Sequence, residues 1–317
     1  MTESSSIARV SVAEEDHARL RDLVSELARV HHAVESPAFL RSVQALSATL
    51  PDNVRETLAV MRYQERYAAV VVENCPIRLD PGPTPAHWLS RDPDATSQYD
   101  FWLALVLAQM GDLIGLQDSQ QGRLRRDVLP VEGAELQQSG HGSDAELVLH
   151  VDDALDDDRG DTFALLCLRA ADGGSTVVAP MGDLDLRGLD AGVMSSPRFT
   201  FLGDGLRRSR ALLFGAQESP YVRLDPPYTE VEAGDARALR AHHDLHERLR
   251  AASVDVITRP GDVLLIDNYR CVHGRRSFVA NYDGQDRWLI KMTATKDLRR
   301  SRGRRDAPDA RMIRSAV

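Results

Sequence analysis

The feature that most constrains the fold is a series of short apolar runs in the second half of the chain, separated by glycine, proline, aspartate or serine. Such runs, with turn-forming residues between them, are typical of the strands of a sandwich, jelly roll or barrel. One amphipathic helix, predicted over Asp235–Ser253, interrupts the series. The predicted strands are Ala145–His150, Thr162–Arg169, Ser175–Ala179, Ala211–Phe214, Tyr221–Leu224, Val254–Thr258, Asp262–Tyr269 and Arg287–Thr295.

The first part of the chain has a helical pattern instead. Leucine and valine recur at three- and four-residue steps between Ser11 and His32, which predicts an amphipathic helix. A second short helix is predicted around Pro37, and a third from Pro51, because proline suits the first helical turn. A buried helix is predicted over residues 99–115. Between these helices, Tyr67–Val72 is an apolar run rich in β-branched residues.

These patterns together predict an α+β fold with one folded domain over residues 11–298. Its mainly helical layer spans residues 11–115, and its β-rich core spans residues 116–298. Residues 1–10 are small and polar, and we predict that they are disordered. Residues 299–317 form a basic C-terminal tail.

Charge is distributed unevenly along the chain. The formal net charge is −9 and the sequence pI is about 5.6. Residues 299–314 contain seven arginines and two aspartates, so the rest of the chain carries −14. An acidic body argues against a nucleic-acid partner, which would require a basic face. We expect the tail to pack against the acidic body or to cap a subunit contact.

Composition also indicates a compartment. The three cysteines cannot form a disulfide framework. The N-terminal residues lack the basic and apolar regions of a secretory signal. All apolar runs are far shorter than the roughly 18 residues that suggest a membrane span. We therefore expect a cytoplasmic protein with no membrane partner.

The sequence LVLHVDD, residues 147–153, places a histidine and a carboxylate two positions apart. Side chains alternate between the faces of a strand, so His150 and Asp152 project to the same side. They can supply two ligands of a facial metal site, in which two histidines and one carboxylate leave positions open for other ligands. By itself this short pattern occurs often by chance and is more typical of a solvated strand end than of a metal site.

Two further segments supply candidate residues. His273 follows the apolar run that starts at Asp262, and Arg287 lies fourteen residues beyond it. Alternation then places Arg287 and Lys291 on the same strand face as Leu289. Two cations beside a buried leucine are costly unless anions meet them. Anionic ligands would remove that cost.

The combination of H-x-D, a distal histidine and the following arginine resembles the Fe(II)/2-oxoglutarate-dependent oxygenases. More narrowly, it resembles the clavaminate synthase-like branch, which includes arginine and asparagine β-hydroxylases. The similarity extends from about Gln120 to the C-terminus. It is carried by HVDDALDDDRGDTFALLCLRAADGGSTVV (residues 150–178), SPYVRLDPPYT (219–229) and GDVLLIDNYRCVHGRRSFVANYDGQDRWL (261–289).

The resemblance implies a double-stranded β-helix core, that is, a cupin-like jelly roll with N-terminal and inserted helices. It implies His150, Asp152 and His273 as iron ligands, and Arg287 with Thr176 as the binding site of the distal carboxylate of 2-oxoglutarate. The co-substrates would be 2-oxoglutarate and O₂, with succinate and CO₂ released.

The reaction implied is hydroxylation of an unactivated C–H, usually C3, of a polar L-amino acid. The substrate would be free or tethered to a carrier protein, and the product would serve specialised metabolism. A carboxylate at position 152 argues against halogenation, for which related enzymes leave that ligand position to chloride. Desaturation or cyclisation on the same machinery, or a non-catalytic jelly-roll binding module, are the alternatives. A homo-oligomer is a further possible partner.

The chain departs from the family pattern at several positions. Asp152 stands where this branch more often has glutamate, and Lys291 stands where many relatives use arginine to hold the substrate carboxylate. Asp225 is retained, but Pro227 replaces the second aspartate of guanidinium-binding relatives. We therefore expect Asp225 to contact an amine or polar side chain rather than a doubly bound guanidinium. Either Gln120 or Gln121 corresponds to a glutamine that contacts the amino end of the substrate.

Two other patterns are less informative. His242 and His246 are one helical turn apart, as in zinc proteases, but the intervening glutamate is absent, and solvated helix histidines are the better interpretation. The aspartate-rich run from Asp152 to Asp161 lacks the spacing of a calcium loop. We interpret it as a flexible, solvated lid.

Overall fold

Helices occupy the beginning of the chain and two later positions. The structure is a computed structural model that describes residues 5–203 and 205–315. Its α-helices are α1 (Glu14–His31), α2 (Pro37–Ser47), α3 (Asp52–Ala59), α4 (Pro93–Ala108), α5 (Ala191–Met194) and α6 (Ala236–Ala252). Short 3₁₀ turns occur at Trp88–Ser90, Gln120–Gly122, Met181–Asp183, Pro226–Tyr228 and Arg302–Arg304, and a π turn at Val60–Gln64.

The strands are mostly short and are concentrated in the second half of the chain. The strands are β1 (Ile7–Ser11), β2 (Ala69–Glu73), β3 (Asp112–Leu116), β4 (Arg126–Val128), β5 (Leu147–His150), β6 (Thr162–Arg169), β7 (Thr176–Pro180), β8 (Phe199–Gly203), β9 (Leu206–Arg210), β10 (Leu213–Ala216), β11 (Ser219–Val222), β12 (Thr229–Val231), β13 (Val254–Val256), β14 (Val263–Asp267), β15 (Cys271–Arg275), β16 (Trp288–Thr295) and β17 (Met312–Ile313).

Two sheets pack face to face and enclose the inner core. The larger sheet has the order β1-β2-β14-β6-β16-β3-β17, with β4 paired to β16, and the smaller one has the order β13-β7-β15-β5. Side chains from both sheets meet between them, among them Leu165 and Leu264 from the larger sheet and Val178 and Cys271 from the smaller. Alternate residues on β14 and β16 face the opposite way, as the two-residue period of a strand requires.

The outer face of the larger sheet is covered by α1, α2 and α4. The sequence of α4 is apolar on all sides, which is typical of a helix buried all round. Asp92 caps its N-terminus by accepting a hydrogen bond from the backbone N–H of Asp94 at 2.9 Å, and Pro93 occupies the first turn. The outer face of the smaller sheet packs against α6, chiefly through Leu245 and Leu249.

The α+β prediction is confirmed, and the predicted strands and the helices α1, α2, α3 and α6 correspond closely to observed elements. Three predictions were wrong. Residues 7–10, predicted to be disordered, belong to β1, which pairs in parallel with β2; residues 1–4 lie outside the described part. His273 lies within the strand β15, which was not among the predicted strands.

The second error concerns residues 99–115, which were predicted to be one helix. Here α4 ends at Ala108 and β3 begins at Asp112. Gly111 makes the change of direction possible, because a Cβ at this position would lie 2.1 Å from the carbonyl oxygen of Thr295. The apolar sequence on either side of that glycine gives no sign of the transition from helix to strand.

The aspartate-rich run is anchored, so its interpretation as a flexible, solvated lid was wrong. Asp156 and Asp158 accept hydrogen bonds from Arg304 in the tail, at distances of 2.6–3.4 Å. Asp161 is paired with Arg300 at 3.2 Å. The tail therefore packs against the acidic body, one of the two roles expected for it. Within the described ranges, no helix is long and apolar enough to cross a membrane.

Candidate active site

Strand register brings the two candidate histidines together. In the antiparallel pair formed by β5 and β15, His150 lies directly opposite His273. Their ring centroids are 4.3 Å apart. Asp152 follows β5 by two residues and stays on the same side, as alternation predicts. A pairing between strands distant in sequence thus converts two separate motifs into one cluster.

The ligand atoms of these three side chains form a compact set. One atom from each of His150, Asp152 and His273 lies within 4.8 Å of the other two. Asp152 Oδ1 is 3.8 Å from His150 Nε2 and 3.5 Å from His273 Nε2. Two histidines and one carboxylate on one face form the donor set used by non-heme iron, with further coordination positions left open.

The protonation states of the histidines suit metal binding. His150 Nδ1 lies 2.8 Å from the carbonyl oxygen of Val148, which can only accept, so the proton is on Nδ1 and the lone pair on Nε2. Burial, reinforced by the neighbouring His273, lowers the pKa of His150 to about 3. Burial also lowers the pKa of His273. Both rings are therefore neutral near pH 7.

The two oxygens of Asp152 have different surroundings. Oδ1 faces the histidines, whereas Oδ2 forms an ion pair with the ammonium group of Lys291. Burial alone would raise the pKa of this carboxyl, but Lys291 and the two histidines more than offset that effect and hold the pKa well below its usual value. The ammonium group also lies 4.2 Å from the ring centre of Phe163. Asp152 is thus ionised and held in one orientation.

The backbone of Asp152 is fixed by Asn268, a residue that sequence reasoning missed. Its side-chain oxygen accepts from the Asp152 N–H at 2.9 Å, and its amide nitrogen donates to the Asp152 carbonyl oxygen at 3.0 Å. Asn268 is buried at the end of β14. Partners of this kind orient metal ligands. Only its position shortly before His273 in the motif segment could have drawn attention to it.

A cavity of about 200 Å³ lies beside the three ligands. Arg287 and Thr176 line it, and the guanidinium donates to the Thr176 hydroxyl oxygen at 3.2 Å. Among the described residues, no carboxylate lies within ion-pair distance of Arg287, although its side chain is buried. Burial, together with the positive charge of Arg275, lowers the pKa of Arg287 to about 10, so the group remains a cation at neutral pH.

Arg275 is a second buried cation lining this cavity, and sequence reasoning did not single it out. It lies opposite Thr176 in the pairing of β15 with β7. Unlike Arg287, it is used by the protein itself, because its guanidinium donates to the carbonyl oxygens of Gly142 and Ala145. Its role is therefore to hold the segment before β5. The repeated arginines after His273 gave no sign of which one points inward.

A neighbouring cavity of about 380 Å³ contains Asp225 and Asp153. The Val151 N–H donates to the Leu224 carbonyl oxygen at 2.8 Å, which places Asp225 beside the ligand segment. Burial, with the nearby carboxylates of Asp152 and Asp153, raises the pKa of Asp225 to about 7. Its carboxyl group has no cationic partner within residues 5–203 and 205–315.

The two candidate glutamines lie elsewhere. The Gln120 side chain donates to the Asp127 carbonyl oxygen at 2.7 Å and accepts from the Asp127 N–H at 3.0 Å. Gln121 has a left-handed backbone, with φ of 63°, and an exposed side chain. Neither lines the two cavities, whereas Gln117 lines the second. Their predicted contact with a substrate stays a prediction.

Comparison with known proteins gives this geometry a family. A model of the taurine catabolism dioxygenase TauD, TfdA family matches residues 206–293. The chain is 34% identical to an L-ornithine/L-arginine 3-hydroxylase of Catenulispora acidiphila, across 96% of this chain and 99% of that protein. It is 33% identical to an enduracididine beta-hydroxylase of Streptomyces hygroscopicus, across 95% and 98% respectively.

A solved structure agrees with these relatives. The crystal structure of the non-heme iron oxygenase OrfP in complex with Fe and alpha-ketoglutaric acid aligns with a TM-score of 0.89 at 34% identity, and covers 96% of this chain and 99% of that one. The chain therefore belongs to the Fe(II)- and 2-oxoglutarate-dependent oxygenases. Within that family its relatives are amino-acid hydroxylases, which confirms the resemblance identified in the sequence.

Proposed function

We propose that this enzyme hydroxylates C3 of an L-amino acid with a cationic side chain, using Fe(II), 2-oxoglutarate and O₂. The observation that carries the proposal is that two sites share one cavity. The first is the ligand set His150, Asp152 and His273, and the second is the buried Arg287 with its hydrogen-bond partner Thr176. The arrangement of two facing sheets supports a double-stranded β-helix of the cupin type. The relatives described above act on amino acids at the same carbon.

The three ligands fit an Fe(II) ion. Both imidazoles are neutral, Asp152 is ionised, and the donor atoms converge from one side. When bound, Fe(II) with 2-oxoglutarate and O₂ supplies an oxidant that can remove hydrogen from an unactivated C–H, with release of succinate and CO₂. The remaining task of the protein is to place the correct C–H beside the ion and to keep bulk water away.

The co-substrate site follows from the unpaired cation. Arg287 can form two parallel hydrogen bonds to one carboxylate, the strongest geometry for such a pair. Because the guanidinium already donates to Thr176 Oγ1, the Thr176 hydroxyl hydrogen is free to donate to the same carboxylate. Together they would hold the distal carboxylate of 2-oxoglutarate, while its keto acid end reaches the metal.

The substrate site extends into the second cavity. A carboxylate without a cationic partner, Asp225, would meet the positively charged end of the substrate there. Pro227 is exposed and offers no second carboxylate, so a primary amine suits this end better than a doubly bound guanidinium. Lys291 lines the first cavity beside the metal ligands and remains the predicted contact of the substrate α-carboxylate.

The decisive experiment is succinate formation with purified enzyme, Fe(II) and 2-oxoglutarate against a panel of free L-amino acids, with mass spectrometry of each product. We expect a gain of one oxygen atom, with an amine-terminated basic amino acid preferred. A loss of two hydrogens would instead indicate desaturation or cyclisation. L-Arginine as the best substrate of the panel would contradict the expectation for Asp225.

A variant tests the metal assignment directly. His150→Ala removes one ligand and should abolish both turnover and the visible absorption band that Fe(II) and 2-oxoglutarate form together without oxygen. His243→Ala is the matched control, because that ring is exposed on α6. Full activity in His150→Ala would overturn the iron site. Absence of the band in the unaltered enzyme would favour the non-catalytic binding module.

A further inference from the structure

The basic tail is folded onto the body by its own arginines. Arg305 is buried and donates to several tail carbonyl oxygens, including those of Pro308 and Ala310 at 2.6 and 3.0 Å. The segment beyond it forms β17, which pairs in parallel with β3. The Ser315 N–H then donates to the Gln117 side-chain oxygen at 3.2 Å. The end of the described chain is therefore part of the same domain as the active site.

The tail also reaches the cavity that contains Asp225. Arg304, Ile313 and Ser315 of the tail line this cavity together with Asp153 and Asp225. Asp153 is the immediate neighbour of the candidate iron ligand Asp152. A segment that composition marks only as a basic extension thus forms part of the wall beside the reaction site.

Arg304 connects the tail to the aspartate-rich segment. One of its terminal nitrogens donates to both carboxylate oxygens of Asp156, at 2.7 and 2.6 Å, and lies 3.4 Å from Asp158. The side chains of Arg304 and Asp156 are both mostly buried, with 21% and 16% of their surfaces exposed. Salt screens such a pair less than an exposed one. The pair fixes the segment that begins at the iron ligand.

We propose that the tail forms the outer wall of the amino-acid pocket, and that Arg304 determines side-chain specificity by positioning the segment Asp153–Asp158. This rests on the proposed function, because it concerns the side-chain end of the same substrate. Arg304 neutralises Asp156 within the wall, which leaves Asp153 and Asp225 to meet a cationic side chain. The distance from those two carboxylates to the tail would set the length of side chain that fits.

The test compares Arg304→Gln with the unaltered enzyme on L-ornithine, L-lysine and L-arginine. We expect the ratio of kcat/KM between the shortest and longest substrates to change by roughly tenfold, which corresponds to about 1.4 kcal/mol. The KM for 2-oxoglutarate and the absorption band with Fe(II) should be unchanged, because Arg287 and the ligands are untouched. Arg299→Gln is the matched control, since Arg299 lies in the same tail with its side chain 91% exposed.

A second variant guards against a folding defect in the first. Ser315→Trp adds bulk to the wall without removing the ion pair, and should raise the KM for the longest substrate most while leaving that for 2-oxoglutarate unchanged. Unaltered substrate ratios in both variants would overturn the proposal, as would an equal loss with every substrate. If the unaltered enzyme oxidised no amino acid but formed the absorption band, the proposed substrate class would fail instead.

Discussion

Two buried cations four residues apart, Arg287 and Lys291, differ in whether a carboxylate is paired with them. Arg287 immediately precedes β16 and Lys291 lies within it, and both line the same cavity. Lys291 is ion-paired with the candidate ligand Asp152. Arg287 has Thr176 beside it and no carboxylate within reach among the described residues. The same strand face thus carries one satisfied charge and one unsatisfied charge.

The difference indicates what each cation is for. A buried charge without a partner costs free energy, so a fold retains it where a ligand supplies the missing charge. A buried charge already paired with a metal ligand acts on that ligand even before any substrate binds. We therefore propose that Arg287 marks where an anionic co-substrate binds, whereas Lys291 orients Asp152 and lowers its pKa. The predictions below test whether this division holds.

The largest effect is expected from Arg287→Met. Removing one partner of a buried charge pair costs about 2–5 kcal/mol, which corresponds to roughly 30-fold to several-thousand-fold weaker binding of 2-oxoglutarate. Titration of the Fe(II)–2-oxoglutarate absorption band measures this. Binding of Mn(II) alone should be unchanged, and the unfolding temperature of the ligand-free protein should not fall, because no carboxylate in residues 5–203 or 205–315 loses a partner. Arg299→Met, on an arginine whose side chain is 91% exposed, is the control. Unchanged 2-oxoglutarate affinity would remove the basis of the comparison.

Lys291→Met should have a smaller effect of a different kind. Partners of metal ligands typically contribute about 10- to 100-fold to metal affinity, so Mn(II) or Fe(II) should bind that much more weakly with no substrate present. Calorimetric titration of the metal checks this, and Lys296→Met, at an exposed position on the same segment, is the control. Unchanged metal affinity with a raised KM for the amino acid would show that Lys291 binds the substrate carboxylate and nothing more.

Sequence reasoning selected the residues that line this cavity, but not the residues that hold them in place. His150, Asp152, His273, Thr176 and Arg287 were all singled out in the sequence, and the structure brings them around one cavity, while their individual roles stay predictions. Their spacing carries the information, because each motif lies on or beside a strand whose alternation fixes the direction of its side chains. The helices of the outer layer were equally visible, since their apolar residues repeat at helical spacing.

What could not be predicted depends on contacts between distant segments. The clamp of Asn268 on Asp152 spans 116 residues, and the pair Arg304–Asp156 spans 148. No local pattern distinguishes Arg275, whose guanidinium donates to carbonyl oxygens, from Arg287, whose guanidinium donates to the Thr176 hydroxyl. The aspartate-rich run was misread for the same reason. Its many charges suggest a solvated loop, but arginines from the far end of the chain pair with several of its aspartates.

Asp225 is the anionic counterpart of Arg287, and its pH dependence gives the smallest and most specific effect. Its pKa is raised to about 7 by burial and by the carboxylates of Asp152 and Asp153. Below that pH the group is neutral, and above it the group is an anion that a cationic side chain can neutralise. Affinity for a basic amino acid should therefore rise roughly tenfold between pH 6 and pH 8, in proportion to the ionised fraction.

The measurement is the KM for L-ornithine across that pH range, beside the KM for 2-oxoglutarate, which should vary much less because Arg287 stays charged throughout. Asp225→Asn should remove the dependence and hold the KM for ornithine at or above its value at pH 6. An amino acid with an uncharged side chain should show no such rise in affinity. A pH profile that survives in Asp225→Asn would assign the effect to another group and leave Asp225 without a ligand. The inference that an unpaired buried charge marks a ligand-binding position would then apply to Arg287 and not to Asp225.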